Sequence, residues 1–138
     1  FDLAHGAGLP CTVHAGEAAG PESVWEAIDV LGARRIGHGV RCVGDPALLD
    51  RLRRDRLALE MCPTSNVQTG AVPGPAGHPA TRLLAEGLAV TISTDTRTTS
   101  DTTLTAEFAA LRRGAGWTAE QERLAQQHAR DAAFAAVD

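Results

Sequence analysis

The amino-acid sequence predicts an α/β fold made of parallel βα repeats. Four short β-prone runs recur along the 138 residues, and each is followed by a helical pattern. The runs are apolar rather than alternating, as expected for strands that helices cover. Polar side chains follow their carboxyl ends, where parallel α/β folds gather ligands. These three observations together favour one parallel sheet with right-handed crossovers.

The first half of the chain carries two of these runs. Gly8, with Pro10 close behind, signals a helix exit. Pro21 opens a stretch whose apolar residues recur at helical spacing. Asp45 before Pro46 is an N-cap followed by a first-turn proline. This half therefore predicts a strand over residues 11–14, a helix over 21–31, a strand over 35–38 and a helix that opens at 46.

The second half carries the other two runs, over residues 57–61 and 88–92. The segment 64–77 is rich in glycine and proline and predicts a long loop. A short helix over 78–86 is closed by the glycine that follows it. Thr118 with Gln121 three residues later is a capping-box signature. Helices are therefore predicted over 103–113 and 118–133.

Composition excludes several classes of function. Thirteen Lys and Arg against seventeen Asp and Glu give a net charge of -4, which argues against a nucleic-acid surface. The apolar stretches fall far short of the about 20 residues that cross a membrane, and no secretory leader is visible. Cys11, Cys42 and Cys62 are an odd number without CxxC spacing, so reduced thiols in the cytoplasm are expected.

Four polar residues follow the predicted strand ends. His14 and Asp95 end apolar runs, His38 lies between two glycines, and Glu17 follows His14 by three positions. Neutral imidazole with carboxylate suits zinc, so we expect these side chains to converge on one site. Simpler alternatives stay open for each: a surface histidine with a helix-start glutamate, a structural histidine at 38 and a helix N-cap at 95.

Four motifs, with a fifth stretch downstream, occur in an order that resembles the adenosine deaminase family of zinc-dependent amidohydrolase barrels. The matching stretches are residues 12–17 (TVHAGE), 35–40 (RIGHGV), 61–66 (MCPTSN), 94–95 (TD) and 102–107 (TTLTAE). The resemblance covers nearly the whole chain. It implies the C-terminal half of a TIM (β/α)8 barrel, with residues 1–138 forming strands 5–8 and their helices. It further implies hydrolytic deamination of adenosine or 2′-deoxyadenosine to inosine or 2′-deoxyinosine and ammonia.

The resemblance also implies a role for each residue. His14 and Asp95 would ligate Zn²⁺, and Asp95 would orient the attacking water. His38 would act beside that water as a base or as an electrostatic stabiliser. Glu17 would bind the purine and donate a proton to its N1 while oxygen adds at C6. Thr96 would bind the substrate, although many family members carry Asp there to bond the purine N7.

The chain departs from the family pattern in one more respect. The family takes two further zinc ligands from an H-x-H motif, which this sequence lacks. A complete barrel also needs about 250 residues. We therefore expect part of a longer deaminase, with little activity in isolation. A non-catalytic half-barrel module and a deaminase of adenine or of a modified adenosine such as aminofutalosine remain alternatives.

The expected partners follow from the same resemblance. They are a small-molecule purine nucleoside and the missing N-terminal half of the barrel. A half-barrel exposes two sheet edges and an apolar inner face, so self-association through these edges is the other expectation. In the loop after the third strand, Ser65 and Asn66 are predicted to cap the loop, with contact to His38 or substrate as the alternative.

Overall fold

The chain folds around a four-stranded parallel sheet. In the computed structural model, which describes residues 1–135, the strands lie in the order β1-β2-β3-β4. Their bounds are Thr12–Ala15, Arg35–His38, Ala58–Met61 and Val90–Ile92, respectively. Successive strands pair in parallel, with His14 opposite Gly37 and Gly37 opposite Glu60. The predicted parallel α/β class is therefore confirmed, and the predicted second strand coincides with β2.

Helices connect the strands and follow the last one. The helices are α1 (Asp2–Gly6), α2 (Pro21–Asp29), α3 (Pro46–Arg54), α4 (Pro63–Gln68), α5 (Ala80–Ala85), α6 (Arg97–Ser100), α7 (Leu104–Ala115) and α8 (Ala119–Asp131), with short 3-10 turns at Val40–Gly44 and Pro75–Gly77. Asp45 caps α3 by accepting from two backbone N–H groups, and Thr118 with Gln121 forms the predicted capping box of α8. Within residues 1–135, no helix has the length and apolar character that a membrane crossing requires.

The apolar core lies between the helices and one face of the sheet. Val13, Ile36, Leu59 and Val90 occupy adjacent register positions on that face, and the last three are fully buried. Side chains of α2, α3, α5 and α7 pack into the same cluster. Because successive side chains alternate across a strand, the opposite face carries the other half of each strand sequence.

That opposite face is polar, which corrects the expectation of an apolar inner face. Thr12, His14, Arg35 and Glu60, here called the polar face, are half-buried or exposed. Thr12 Oγ1 donates to Glu60 Oε2 at 2.7 Å, and Arg35 Nε lies 2.9 Å from Glu60 Oε1. The expectation was wrong because each strand contributes only alternate residues to this side, and most of those residues are polar.

The predicted loop over residues 64–77 contains a helix. α4 begins at Pro63, a favourable first-turn residue, and the backbone N–H of Thr64 donates to Glu107 Oε2 at 2.9 Å. Glu107 lies 43 positions away on α7, so the group that satisfies this helix start is invisible in the local sequence pattern. The helix places Ser65 and Asn66, both buried, beneath the carboxyl edge of the sheet.

Candidate active site

The carboxyl edge of the sheet holds a pocket of about 330 Å³. Its wall includes three of the predicted site residues and is formed by His14, Gly37, His38, Glu60, Cys62, Ser93, Thr94 and Asp95. Glu17 joins them through His38, whose Nε2 lies 3.4 Å from Glu17 Oε2. The fold thus brings four scattered polar side chains to one edge, as parallel strand ends do.

His14 stands on the polar face at the end of β1. Its register partner on β2 is Gly37, and a Cβ built there would overlap the His14 ring. The absence of a side chain at position 37 therefore makes room for the imidazole. The rings of His14 and His38 meet edge to face, with centroids 4.7 Å apart.

His38 ends β2 in a left-handed backbone conformation with φ of 66°, and Gly39 continues in the same region. This turn sends the His38 ring into the protein, where the residue is 1% exposed. Burial lowers the pKa of His38 below its ordinary value, although the nearby Glu17 carboxylate opposes the shift. His38 is therefore a neutral imidazole at neutral pH.

Asp95 follows β4 and also has a left-handed backbone, with φ of 55°. Ser65 Oγ donates to Asp95 Oδ2 at 2.7 Å, which fixes one carboxylate oxygen. The helix N-cap alternative for Asp95 is wrong, because the residue that precedes α6 is Thr96. Thr96 is exposed beside the pocket and makes no side-chain cap.

Glu17 lies in the turn after β1, and its two carboxylate oxygens have different surroundings. Oε1 accepts from Asn66 Nδ2 at 3.0 Å and from Thr69 Oγ1 at 3.1 Å. Oε2 faces His38. Arg41 Nε donates to the Glu17 carbonyl at 2.6 Å and so holds the turn itself. The carboxylate is thus oriented by donors on one oxygen only.

His14 and Asp95 offer one imidazole nitrogen and one carboxylate, which are typical zinc donors. Cys62 also lines the pocket, but burial among carboxylates raises the pKa of its thiol to about 12, so it stays protonated at neutral pH. Among residues 1–135, no three His, Cys, Asp or Glu side chains come together as a metal site. The donor chemistry therefore fits part of a zinc site, which ordinarily takes three or four protein ligands.

Three contributors to this site were not assigned to it from sequence. Asn66 contacts both Glu17 and His38, Thr69 contacts Glu17, and His78 contacts Asn66 from beneath. The contact between Asn66 and His38, the alternative to loop capping, is present. A polar run directly after a predicted strand was the available signal for Asn66 and Thr69, whereas nothing local marks His78.

Comparison with known proteins places these observations in a family. A family model described as adenosine deaminase matches residues 1–138. The adenosine deaminase of Erwinia tasmaniensis is 46% identical over 134 residues, which cover 97% of this chain and 40% of the relative. The chain therefore spans about two fifths of the length of the curated relatives it matches.

Solved structures agree with the sequence relatives. The crystal structure of an adenine deaminase from Arthrobacter aurescens superimposes with a TM-score of 0.95 at 32% identity, covering 98% of this chain and 41% of that one. A zinc-bound amidohydrolase from Burkholderia ambifaria superimposes with a TM-score of 0.85 over 95% of this chain and 37% of its own. At 24% identity, the second likeness shows the fold alone. The architecture is part of a (β/α)8 barrel.

Proposed function

Because this chain belongs to the adenosine deaminase family, we propose that it supplies half of the active site of a zinc-dependent purine deaminase. The whole enzyme would convert adenosine or 2′-deoxyadenosine to inosine or 2′-deoxyinosine and ammonia in the cytoplasm. The observation that carries the proposal is the convergence of His14, His38, Asp95 and Glu17 at one edge of the sheet. Strands β1–β4 would then be barrel strands 5–8.

His14 and Asp95 are the residues of this chain that would hold zinc. A bound zinc ion makes hydroxide available from water near neutral pH. Because this sequence has no H-x-H motif, the remaining ligands would come from the N-terminal half of the barrel. That half is the partner proposed for the polar face, and pairing of two copies through β1 and β4 is the competing arrangement.

Each remaining side chain has a task that its contacts allow. Asp95, with one oxygen fixed by Ser65, orients the attacking water through its other oxygen. Glu17 has Oε1 occupied by two donors, so the proton it delivers to purine N1 must sit on Oε2. Oxygen adds to C6 as N1 gains that proton, and the amino group then takes up the remaining proton of the added oxygen and leaves as ammonia while the C6 carbonyl forms. Thr96, exposed at the rim, would contact the purine.

Adenine itself is the second candidate substrate. The specific support is the adenine deaminase structure, which superimposes with a TM-score of 0.95 at 32% identity. A free base has no ribose to recognise, so the two substrates differ only in contacts beyond the purine ring. The same reaction centre would serve both.

Fusion to a complementary half-barrel tests the proposal. This chain is joined behind the preceding segment of the Erwinia tasmaniensis adenosine deaminase, and ammonia release is followed with adenosine, 2′-deoxyadenosine and adenine. We expect the chimera to bind zinc and deaminate adenosine, and the chain alone to show little turnover. Robust turnover by the isolated chain, or a folded, zinc-loaded chimera inactive on all three, would contradict the proposal.

Two variants of that chimera separate the assigned roles. Glu17→Gln should retain zinc and lose turnover by about 100-fold or more, because the amide cannot deliver the proton. His14→Ala should lower the zinc content measured by metal analysis. Loss of zinc from Glu17→Gln, or unchanged zinc in His14→Ala, would overturn the respective assignment.

A further inference from the structure

Asn66 is fully buried, and every donor and acceptor position of its side-chain amide has a hydrogen-bond partner. Nδ2 lies 3.0 Å from Glu17 Oε1 and 3.0 Å from His38 Nδ1. Oδ1 lies 3.2 Å from the backbone nitrogen of Cys62 and 3.2 Å from His78 Nε2. An Asn side chain has two N–H donors and one acceptor oxygen with two lone pairs, so all four positions are filled.

The backbone of Cys62 fixes which way this amide points. A peptide N–H only donates, so the atom that faces it must be the amide oxygen. The amide nitrogen therefore faces Glu17 and His38. Rotating the amide by half a turn would set its N–H groups against the Cys62 N–H and leave two buried donors without acceptors.

A second backbone group fixes the other end of the network. The N–H of Ala80 donates to His78 Nδ1 at 3.2 Å, so that nitrogen carries no proton. Burial lowers the pKa of His78 to about 4, so the ring is neutral at pH 7. Its single proton is therefore on Nε2, where it is donated to Asn66 Oδ1.

The direction of each hydrogen bond determines which ring nitrogen of His38 carries the proton. Asn66 Nδ2 has only hydrogens to offer, so His38 Nδ1 must accept. We propose that Asn66 is a positioning residue that, anchored by Cys62 and His78, holds His38 as the tautomer with its proton on Nε2. The anchors lie outside the pocket wall or belong to the backbone, so this arrangement exists without substrate.

The tautomer decides between the two roles that the family resemblance left open for His38. Nε2 lies 3.4 Å from Glu17 Oε2 and already carries a proton in this tautomer, so it has no free lone pair. A base at this nitrogen would need the opposite tautomer, which the Asn66 amide opposes. Resting on the proposed function, His38 thus stabilises developing negative charge through its N–H rather than removing a proton from water.

Nitrogen-15 NMR of the histidine rings in the chain itself tests this inference without substrate or turnover. In a neutral imidazole the nitrogen that bears the proton resonates far upfield of the bare one, so each tautomer is read directly. At neutral pH, both His38 and His78 should carry the proton on Nε2. A proton on Nδ1 of His38, or protons on both of its nitrogens, would overturn the proposal.

The substitution Asn66→Asp removes the N–H donor of this side chain and keeps its acceptor oxygen. A carboxylate still accepts from the Cys62 N–H and from His78, but it offers no N–H to His38. The His38 proton should therefore move from Nε2 to Nδ1, where the introduced carboxylate accepts it. Ser65→Ala, which removes the neighbouring contact to Asp95, is the control and should leave the proton on Nε2.

These measurements test the role of Asn66 independently of the proposed deaminase activity. An unchanged His38 tautomer in folded Asn66→Asp, or an altered tautomer in Ser65→Ala, counts against Asn66 as the determinant. If Asn66→Asp does not fold, the spectrum of the unsubstituted chain still decides. None of these readings depends on whether the chimera deaminates adenosine.

Discussion

Gly16 and Gly70 both have a left-handed backbone but differ in their surroundings. Gly16, between His14 and Glu17, has φ of 67°, and a Cβ there would lie 2.8 Å from Val24 Cγ2 and 3.1 Å from Gly39 Cα. Gly70 has φ of 73° and no atom within 4 Å of the same position. The pair therefore separates backbone strain from crowding against neighbouring residues.

Replacement of each by alanine should show that separation. Gly70→Ala should lower the free energy of unfolding by about 1–2 kcal/mol, the cost of a side chain in this conformation. Gly16→Ala should cost roughly 1–3 kcal/mol more, because the Gly39 backbone cannot move aside easily. Urea denaturation of the two variants measures the difference. Equal losses would mean that the contact with Gly39 relaxes freely.

His78 makes stability depend on pH. The unfolded histidine binds a proton near pH 6.5, whereas the folded one does so only near pH 4. Between these values the unfolded state holds more protons, so stability falls as pH is lowered through that window. The difference between the folded and unfolded pKa values of His78 corresponds to ~3 kcal/mol of unfolding free energy at most. Burial shifts His38 in the same direction and adds to the trend.

The substitution His78→Gln tests this dependence while keeping an N–H donor for Asn66. The loss of unfolding free energy between pH 7 and pH 4.5 should be smaller than in the parent chain by about 2 kcal/mol. Denaturant titrations at the two pH values measure it. Substitution of the exposed His5 by Gln is the control for removing an imidazole. An undiminished pH dependence in His78→Gln would show that other groups cause it.

Single residues were predictable from sequence where strand ends placed them. His14, His38 and Asp95 come together because parallel strands end at one edge, and a motif pattern suffices to see this. The contacts of Asn66 were harder to predict, since its partners lie 28, 49 and 12 positions away in the chain. Such contacts become visible only once α4 is packed against the sheet.

Among the elements, α4 depends on a carboxylate from another helix. Glu107 on α7 is fully buried, accepts from the Thr64 N–H at 2.9 Å and accepts from Thr102 Oγ1 at 2.6 Å. This side chain joins the start of α4 to the segment that precedes α7. The short helix that carries Ser65 and Asn66 is thereby held at its amino end.

Glu107→Ala should destabilise the chain by about 2–4 kcal/mol, since it leaves two donors without acceptors. Glu107→Gln should cost only about 1 kcal/mol, because its oxygen can accept from Thr64 and its amide can donate to the Thr102 hydroxyl. Chemical denaturation followed by circular dichroism compares the two. A similar loss for both variants would show that the charge, not the hydrogen bonds, is what matters.

Element boundaries followed local signals where these existed. The prolines at 21 and 46 begin their helices as predicted, and the capping box begins α8. The predicted loop over 64–77 was wrong in its first part, since the glycines and prolines that mark it lie after α4. A helix of six residues has too few internal bonds to leave a pattern, and its stability comes from tertiary contacts.

For the molecule as a whole, the parallel sheet and its order were predictable, but the character of its two faces was not. Apolar runs indicated burial on both sides, whereas the polar face joins Thr12, Arg35 and Glu60 by an ion pair and a hydrogen bond. In a complete barrel that face would line the interior.

The left-handed backbone at His38 and Asp95 limits how this site can be redesigned. Both positions hold conformations that β-branched and bulky residues adopt only with strain, whereas Asn, Asp, His and Gly tolerate them. The side chain at position 95 can therefore be exchanged for only a few residue types without changing the backbone. Asparagine and histidine fit the existing turn, whereas valine or isoleucine would require a different backbone conformation there.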